Sequence, residues 1–243
     1  VDYTLSPAGV TVTLGSLTKA GSADDGFGGK DVLLNIEAVR GSAFADRLVS
    51  SDRNTYATDG YFESFEGLEG NDTIDGSAGG PVRADYINSP KGVSVDLQLG
   101  QADDGFGGAD RLIGVDAVRG SAFDDRIAGD AGANNLEGLG GNDTIAGGKG
   151  NDTLVGLSGN DTYIVVAEGD GVDVITDSGR DNAAGSYGSG DSLVLRSLPD
   201  NYDVEVSVSD TLSTDVQFRL IDGKSSIVGS VTIKHQLAVS DAG

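Results

Sequence analysis

Residues 141–163 carry one short sequence three times, at intervals of nine residues: Gly141-Asn142-Asp143-Thr144-Ile145, Gly150-Asn151-Asp152-Thr153-Leu154 and Gly159-Asn160-Asp161-Thr162-Tyr163. The full repeating unit is G-G-x-G-N-D-x-U-x, where U is a large apolar residue. Glycines allow tight turns that direct several carbonyl oxygens to one point, and aspartate adds a charged oxygen on a short side chain. Calcium prefers six to eight oxygen ligands at about 2.3–2.6 Å. The repeat therefore predicts stacked turns that bind Ca²⁺.

The spacing of nine continues on the N-terminal side of these copies. Apolar residues recur at Val118, Ile127, Leu136, Ile145, Leu154 and Tyr163, and the matching site positions are Asp116, Asp125, Asn134, Asp143, Asp152 and Asp161. A glycine- and asparagine-rich disordered linker is the alternative, but a linker has no reason to repeat large apolar residues at a fixed interval. The pattern favours a folded stack of turns.

Successive nonapeptides in such a stack form strands of opposite direction, so one coil takes two of them and turns on one edge lie eighteen residues apart. We expect one ion between Asp125 and Asp143 and a second between Asp143 and Asp161. On the opposite edge we expect an ion between Asn134 and Asp152. The apolar residues then form two facing ladders across a thin core.

The composition is that of an acidic, metal-binding chain. It has 39 acidic and 16 basic residues, a formal net charge of -23, and 32 aspartates against 7 glutamates. Turn sites that need a short ligand explain this preference, and bound calcium would reduce the self-repulsion. We expect no nucleic-acid partner, because the sequence offers no basic face to neutralise phosphate. The chain has no cysteine for disulfides or zinc, and no apolar run near the roughly 20 residues of a membrane helix.

The sequence also contains a second, longer repeat. Asp2-Tyr3 recurs as Asp85-Tyr86, the loop 24–29 (D-D-G-F-G-G) recurs at 103–108, and the segment 38–44 recurs at 117–123. Two homologous units of about 80 residues follow from this, the first with insertions near 15–22 and 49–64. We predict a first β-roll unit over 1–83, a second over 84–180 and a C-terminal β capping segment over 181–243.

The two D-D-G-F-G-G-x-D loops are predicted to be expanded calcium turns, with Asp25, Asp31, Asp104 and Asp110 as ligands. The alternative is a solvated acidic hairpin whose phenylalanine packs on the roll. In each unit an alternating strand, Val10–Leu14 or Val93–Leu97, precedes the loop.

After Tyr163 the nine-residue spacing becomes irregular. Either Asp170 or Asp173 can hold the site position, and 178–190 is predicted to be a polar excursion. Beyond residue 200 apolar and polar residues simply alternate. This pattern predicts strands at Tyr202–Ser209, Val216–Ile221 and Ser226–Lys234. A stack of coils ends in an open edge, so these strands are predicted to cap it.

The G-G-x-G-N-D-x-U-x repeats resemble the repeats-in-toxin (RTX), or haemolysin-type, calcium-binding parallel β-roll. The resemblance implies an all-β fold, a parallel β-roll or β-helix with a C-terminal antiparallel cap. It also implies several bound Ca²⁺ ions, secretion by the type I system of a Gram-negative bacterium and folding on extracellular calcium. Asn134, Phe123, Leu157 and Ser158 depart from the family pattern, which implies weaker sites there.

Together with the residues assigned from the repeats, the resemblance gives one set of expected metal ligands, drawn from the site-position side chains and the turn glycines. The set comprises Asp25, Asp31, Asp46, Asp72, Asp104, Asp110, Asp116, Asp125, Asn134, Gly141, Asp143, Gly148, Gly150, Asp152, Gly159, Asp161 and Asp173.

No catalytic constellation is recognisable. The single histidine, His235, lies in a predicted strand, and acidic pairs such as Asp24/Asp25, which are also typical of glycosidases, fall in the calcium register. We therefore expect no enzymatic activity. The chain begins like the middle of a longer protein, so we expect a monomeric calcium-triggered folding and secretion module of a larger chain. The alternatives are a segment of a large adhesin or matrix protein that contacts a surface or polysaccharide, and the C-terminal module of a secreted polysaccharide-active enzyme or protease.

Overall fold

The structure, a computed structural model, describes residues 1–16, 18–52, 62–166, 171–177, 192–196, 202–208, 216–222 and 227–235. Every regular element in these ranges is a β-strand, which confirms the predicted all-β class. None of the described residues forms a helix long and apolar enough to cross a membrane. The chain divides into two compact units, 1–128 and 129–243. The boundaries predicted at 83/84 and 180/181 follow the sequence repeats and stay a prediction.

Most strands of the first unit have three or four residues, because turns interrupt the chain before a longer strand can form. Many of them bury one central apolar residue between two less buried neighbours. The strands are β1 (Thr11–Thr13), β2 (Gly21–Asp24), β3 (Lys30–Leu33), β4 (Ala38–Arg40), β5 (Arg47–Val49), β6 (Glu63–Glu66), β7 (Thr73–Asp75), β8 (Val82–Asp85), β9 (Ser94–Asp96), β10 (Gln101–Asp103), β11 (Ala109–Ile113), β12 (Ala117–Arg119) and β13 (Arg126–Ala128).

These strands form two layers. One runs β12-β8-β6-β4 and is parallel throughout. The other runs β13-β9-β10-β11-β7-β5-β1-β2-β3, with parallel coil pairings and two antiparallel meanders, β1-β2-β3 and β9-β10-β11. Leu48, Phe65 and Ile74 are completely buried in the core. The two D-D-G-F-G-G loops are the equivalent connections β2–β3 and β10–β11, so the 80-residue sequence repeat is a structural repeat.

The second unit contains the clearest nonapeptides. Its strands are β14 (Asn135–Gly140), β15 (Thr144–Ala146), β16 (Thr153–Ser158), β17 (Thr162–Val166), β18 (Gly171–Asp177), β19 (Ser192–Arg196), β20 (Tyr202–Val208), β21 (Val216–Asp222) and β22 (Ile227–His235). Strands β14 and β16 pair in parallel with Leu136 opposite Leu154, and β15 and β17 pair with Ile145 opposite Tyr163. All four side chains are buried. The offset of eighteen residues confirms that two nonapeptides make one coil of a parallel β-roll.

The C-terminal strands extend the sheet of β14, β16 and β18. Strand β22 pairs in parallel with β18, and β21 and β20 follow in antiparallel order. This confirms the predicted antiparallel C-terminal segment, with strand bounds within about one residue of those expected. The excursion 178–190, residues 53–61 of the predicted insertion and the side chain of His235 lie outside what the structure describes.

Candidate metal sites in the stacked turns

A ladder of hydrogen bonds joins the site positions of successive coils in the second unit. The backbone N–H of Asp143 donates to Asp161 Oδ1 at 2.9 Å, and that of Asn134 donates to Asp152 Oδ1 at 2.8 Å. The N–H of Asp152 continues the second ladder to Asp173 Oδ1 at 3.0 Å. Each aspartate is therefore fixed by the coil before it, and neighbours along an edge are 18 or 21 residues apart. Asp173 therefore occupies the last site position of this ladder. Asp170 lies outside the described residues.

The turns before these aspartates share one backbone shape. Residues four and two positions before the aspartate have positive φ: Leu139 (80°) and Gly141 (111°), Gly148 (99°) and Gly150 (112°), Leu157 (75°) and Gly159 (133°). The same shape precedes Asp72, with Leu68 at 73° and Gly70 at 145°. Leu157, which departs from the family pattern, keeps the conformation of the glycine it replaces, so the turn before Asp161 is fully formed.

A third glycine of each turn makes room for the carboxylate. A Cβ at Gly138, Gly147 or Gly156 would lie 2.1, 2.3 or 2.0 Å from Oδ2 of Asp143, Asp152 or Asp161, five residues later. These three glycines are missing from the predicted ligand set. The repeat nevertheless contains their signal, because each is the first glycine of G-G-x-G or of its variant. They are needed for space rather than for ligation.

Successive turns on one edge touch through carbonyl groups. A Cβ at Gly159 would lie 1.7 Å from the Gly141 carbonyl oxygen, and one at Gly150 would lie 2.4 Å from the Gly132 oxygen. Within the described residues no three acidic or histidine side chains converge into a metal centre. A cation held here therefore needs backbone carbonyls as well as carboxylates, a mixture that suits calcium.

Two carboxylates of these turns, those of Asp72 and Asp152, each have one buried oxygen without a donor among the described residues. The Oδ2 atoms of Asp72 and Asp152 accept no hydrogen bond from the residues that the structure describes. Burial raises the pKa of Asp152 to about 6; burial, with the nearby carboxylates of Asp110, Asp46 and Asp104, raises the pKa of Asp72 to about 8. A buried charge without a partner is costly, and a divalent cation is the partner that matches an oxygen-only environment.

A second class of turn satisfies its own carboxylate. The N–H of Ser42 donates to Asp46 Oδ2 at 2.6 Å, while the Ser42 hydroxyl and the N–H of Val10 donate to Asp46 Oδ1, each at 2.7 Å. The equivalent turn repeats this, with Ser121 and Val93 donating to Asp125 at the same distances. Burial still raises the pKa of both aspartates. Both of their oxygens are already occupied by protein donors.

Asn134 and Asp116 also have protein donors. Asn134 Oδ1 accepts the N–H of Asp130 at 2.8 Å, and Asp116 Oδ2 accepts that of Val82 at 3.0 Å. The sequence groups these positions with Asp143, Asp152 and Asp161 because all follow the nine-residue spacing. The structure separates Asn134 from them by turn conformation, since no residue of the turns before Asp46, Asp125 or Asn134 has a positive φ, whereas the turn before Asp116 keeps one at Gly114 (56°).

The two D-D-G-F-G-G loops differ in burial. Asp104 and Asp110 are buried, whereas Asp25 is half-buried and Asp31 exposed. Tyr3 donates to Asp31 Oδ2 at 3.0 Å, and Tyr86 donates to Asp110 Oδ2 at 3.2 Å, so the loops keep one equivalent contact. Phe27 is 69% exposed and Phe106 is half-buried, so the alternative of a hairpin anchored by its phenylalanine is disfavoured for the first loop only.

Without calcium, lowering the pH from 8 to 5 is expected to stabilise the folded chain. Asp72 and Asp152 have a pKa of 3.8 when unfolded but about 8 and about 6 when folded, so between these values the folded state binds more protons. The free energy of unfolding therefore falls as the pH rises through this window. The β signal in far-ultraviolet circular dichroism, recorded in excess chelator at each pH, measures the trend, and a signal that grows as the pH rises would contradict it. Saturating calcium, which competes with the protons, serves as the control.

The family comparison agrees with the turn geometry. The family model described as RTX calcium-binding nonapeptide repeat (4 copies) matches residues 58–80, 113–145 and 128–163. These ranges include Asp72, Asp143, Asp152 and Asp161 as well as Asp116, Asp125 and Asn134, and they leave out the loop 103–110.

Likeness to curated proteins and to solved structures is slight. The search of curated proteins finds no match. The crystal structure of the extracellular lipase LipA from Serratia marcescens aligns with 83% of this chain and 36% of its own, at 16% identity and a TM-score of 0.27. This chain therefore spans about a third of that lipase's length. On the family match and the matching turns, this is a chain that carries RTX calcium-binding nonapeptide repeats.

Proposed function

We propose that the chain is a non-catalytic β-roll module that folds when its turns bind calcium. The ligands are the carboxylates of Asp72, Asp143, Asp152 and Asp161, with turn carbonyls such as those of Gly141, Gly150 and Gly159. The observation that carries the proposal is the Asp152 carboxylate: 1% exposed, fixed through Oδ1, and with an Oδ2 that no described residue satisfies. Bound calcium supplies the missing positive charge.

Charge couples this binding to folding. The net charge of -23 and the buried carboxylates oppose the compact metal-free state. An unfolded chain holds no preformed turn, so the free energy of calcium binding contributes directly to the free energy of folding. Burial of one large apolar side chain per nonapeptide contributes only roughly 1.5–3 kcal/mol, which is too little for an isolated coil.

The test is a calcium titration followed by far-ultraviolet circular dichroism. The chelated protein at neutral pH is expected to lack most of its β signal, and calcium at about 10⁻⁴–10⁻³ M is expected to restore it cooperatively. Magnesium is the control, because it demands a smaller octahedral shell and should not substitute. An unchanged β spectrum in chelator would overturn calcium-dependent folding.

The calcium concentration at which the sites are expected to fill also indicates where the module folds. Sites that fill at about 10⁻⁴–10⁻³ M are typical of extracellular modules, so the chain would stay unfolded inside the cell and fold after export. We therefore propose that it is secreted from a Gram-negative bacterium as part of a larger chain, whose folding outside the cell it promotes. Limited proteolysis of the larger protein with and without calcium checks this: protection by calcium should extend beyond this module.

A further inference from the structure

The second D-D-G-F-G-G loop holds a carboxylate in an unusual state. Asp104 is 0% exposed, and its Oδ1 accepts the backbone N–H groups of Phe106, Gly107 and Gly108 at 2.8, 2.8 and 2.9 Å. These three bonds fix the carboxylate through Oδ1 alone. That oxygen, Oδ2, is buried and accepts no hydrogen bond from any described residue.

The space beside Asp104 Oδ2 is bordered by the turn before Asp72. A Cβ at Gly108 would lie 2.5 Å from Asp104 Oδ2 and only 1.7 Å from the Gly70 carbonyl oxygen, so both oxygens border the same small volume. The loop and the turn are held together there, because Ala109 N–H donates to Asn71 Oδ1 at 2.9 Å and Arg111 N–H donates to the Asp72 carbonyl at 2.8 Å.

Negative charge accumulates around this volume. Asp72 Oδ2 is also buried without a hydrogen bond from the described residues, and Asp110, at the end of the loop, accepts the Asp72 N–H at 2.9 Å. Buried oxygens without a donor, such as Oδ2 of Asp104 and Asp72, are costly, and a divalent cation can satisfy them.

We propose that Asp104 Oδ2 and the Gly70 carbonyl oxygen bind a calcium ion in a composite site between the loop 103–110 and the turn 67–72. Asp72 and Asp110 supply further negative charge around it. The loop lies outside the residues that match the nonapeptide family. The proposal rests on the proposed function only for the identity of the metal. The ion ties the second 80-residue repeat to the last turn of the first.

The first copy of the loop provides the contrast. Asp25 Oδ1 accepts the N–H groups of Phe27 and Gly29 at 2.9 Å each, so the loop closes in the same way. Among the described residues, the three atoms nearest to a Cβ at Gly29 all belong to Asp25, so no described turn approaches it as Gly70 approaches Gly108. Strand β3 ends its sheet, whereas β11 lies against β7. The same hexapeptide therefore forms the composite site only where a coil precedes it.

Counting bound ions tests the proposal. Calcium bound to the full chain at saturation is measured by equilibrium dialysis with atomic absorption, for the wild type, Asp104→Asn and Asp25→Asn. The new amide at position 104 keeps an oxygen for the three N–H groups, so the fold should persist by circular dichroism. Asp104→Asn should lose one ion and Asp25→Asn none. An unchanged count for Asp104→Asn, or equal losses from both, would overturn the composite site. A wild type that binds no calcium would instead refute the proposed function.

A second measurement does not depend on a variant folding. Crystals of the wild-type chain grown with strontium, which replaces calcium and scatters anomalously, should show a peak within bonding distance of Asp104 Oδ2 and the Gly70 carbonyl oxygen. Peaks at Asp143, Asp152 and Asp161 without one at Asp104 would overturn the composite site and leave the nonapeptide sites standing.

Discussion

Asp152→Asn is expected to weaken calcium binding and, at the same time, to stabilise the metal-free fold. The new amide keeps an oxygen for the Asn134 N–H, so the ladder between coils persists. The substitution also removes a buried negative charge, whose Oδ2 accepts no hydrogen bond from the described residues. Loss of this charge should raise the stability of the metal-free fold. The substitution also removes a charged calcium ligand, so the midpoint of the calcium titration should rise roughly tenfold, or about 1.4 kcal/mol.

The matched control is Asp125→Asn, at a position with the same sequence register but a serine-capped turn. Both oxygens of Asp125 accept protein donors, so the new NH₂ group must face a donor, either Ser121 or Val93. A buried donor without an acceptor costs about 1–3 kcal/mol, and this loss should be similar in calcium and in chelator. Urea unfolding in calcium, together with the β signal by circular dichroism in chelator, separates the two classes. Parallel behaviour of the two variants would show that turn conformation does not decide which positions bind metal.

Gly150→Ala is expected to prevent the coils from stacking. Gly150 has a φ of 112°, and a Cβ there would lie 2.4 Å from the Gly132 carbonyl oxygen, a backbone atom that cannot move aside. The strain of a left-handed backbone, about 1–3 kcal/mol, is thus added to a clash between coils. We expect a loss of at least about 3 kcal/mol in the calcium-bound state, by urea unfolding, and a calcium titration of low cooperativity.

Gly79→Ala isolates the strain from the clash. Gly79 has nearly the same φ, 111°, but a Cβ there would meet no described residue within 4 Å. This variant should lose only the strain energy, about 1–3 kcal/mol, and keep the cooperativity of calcium binding. If both variants lose the same stability, contact between coils at the glycine positions contributes little.

Much of the fold follows from the spacing of a few residue types. Glycine-rich turns at intervals of nine force short strands, and one apolar residue per interval can be buried only if strands stack in register. Leu136 opposite Leu154 and Ile145 opposite Tyr163 are therefore consequences of the repeat. The antiparallel C-terminal strands were equally predictable, because plain alternation replaces the nonapeptide pattern there.

The sequence by itself determined the β-roll, its coil of eighteen residues and the column of aspartates at the turns, because these depend on local spacing. Which aspartates have an unsatisfied oxygen was decided by tertiary structure. Asp125 and Asp152 occupy the same register, but Ser121 supplies donors to the first, and the left-handed Gly148 and Gly150 shape a turn that leaves Oδ2 of the second buried without one. Asp25 and Asp104 belong to identical hexapeptides, yet only Asp104 faces the carbonyl of a preceding coil. Hydrogen-bond satisfaction and facing carbonyls depend on residues tens of positions away, which no local pattern records.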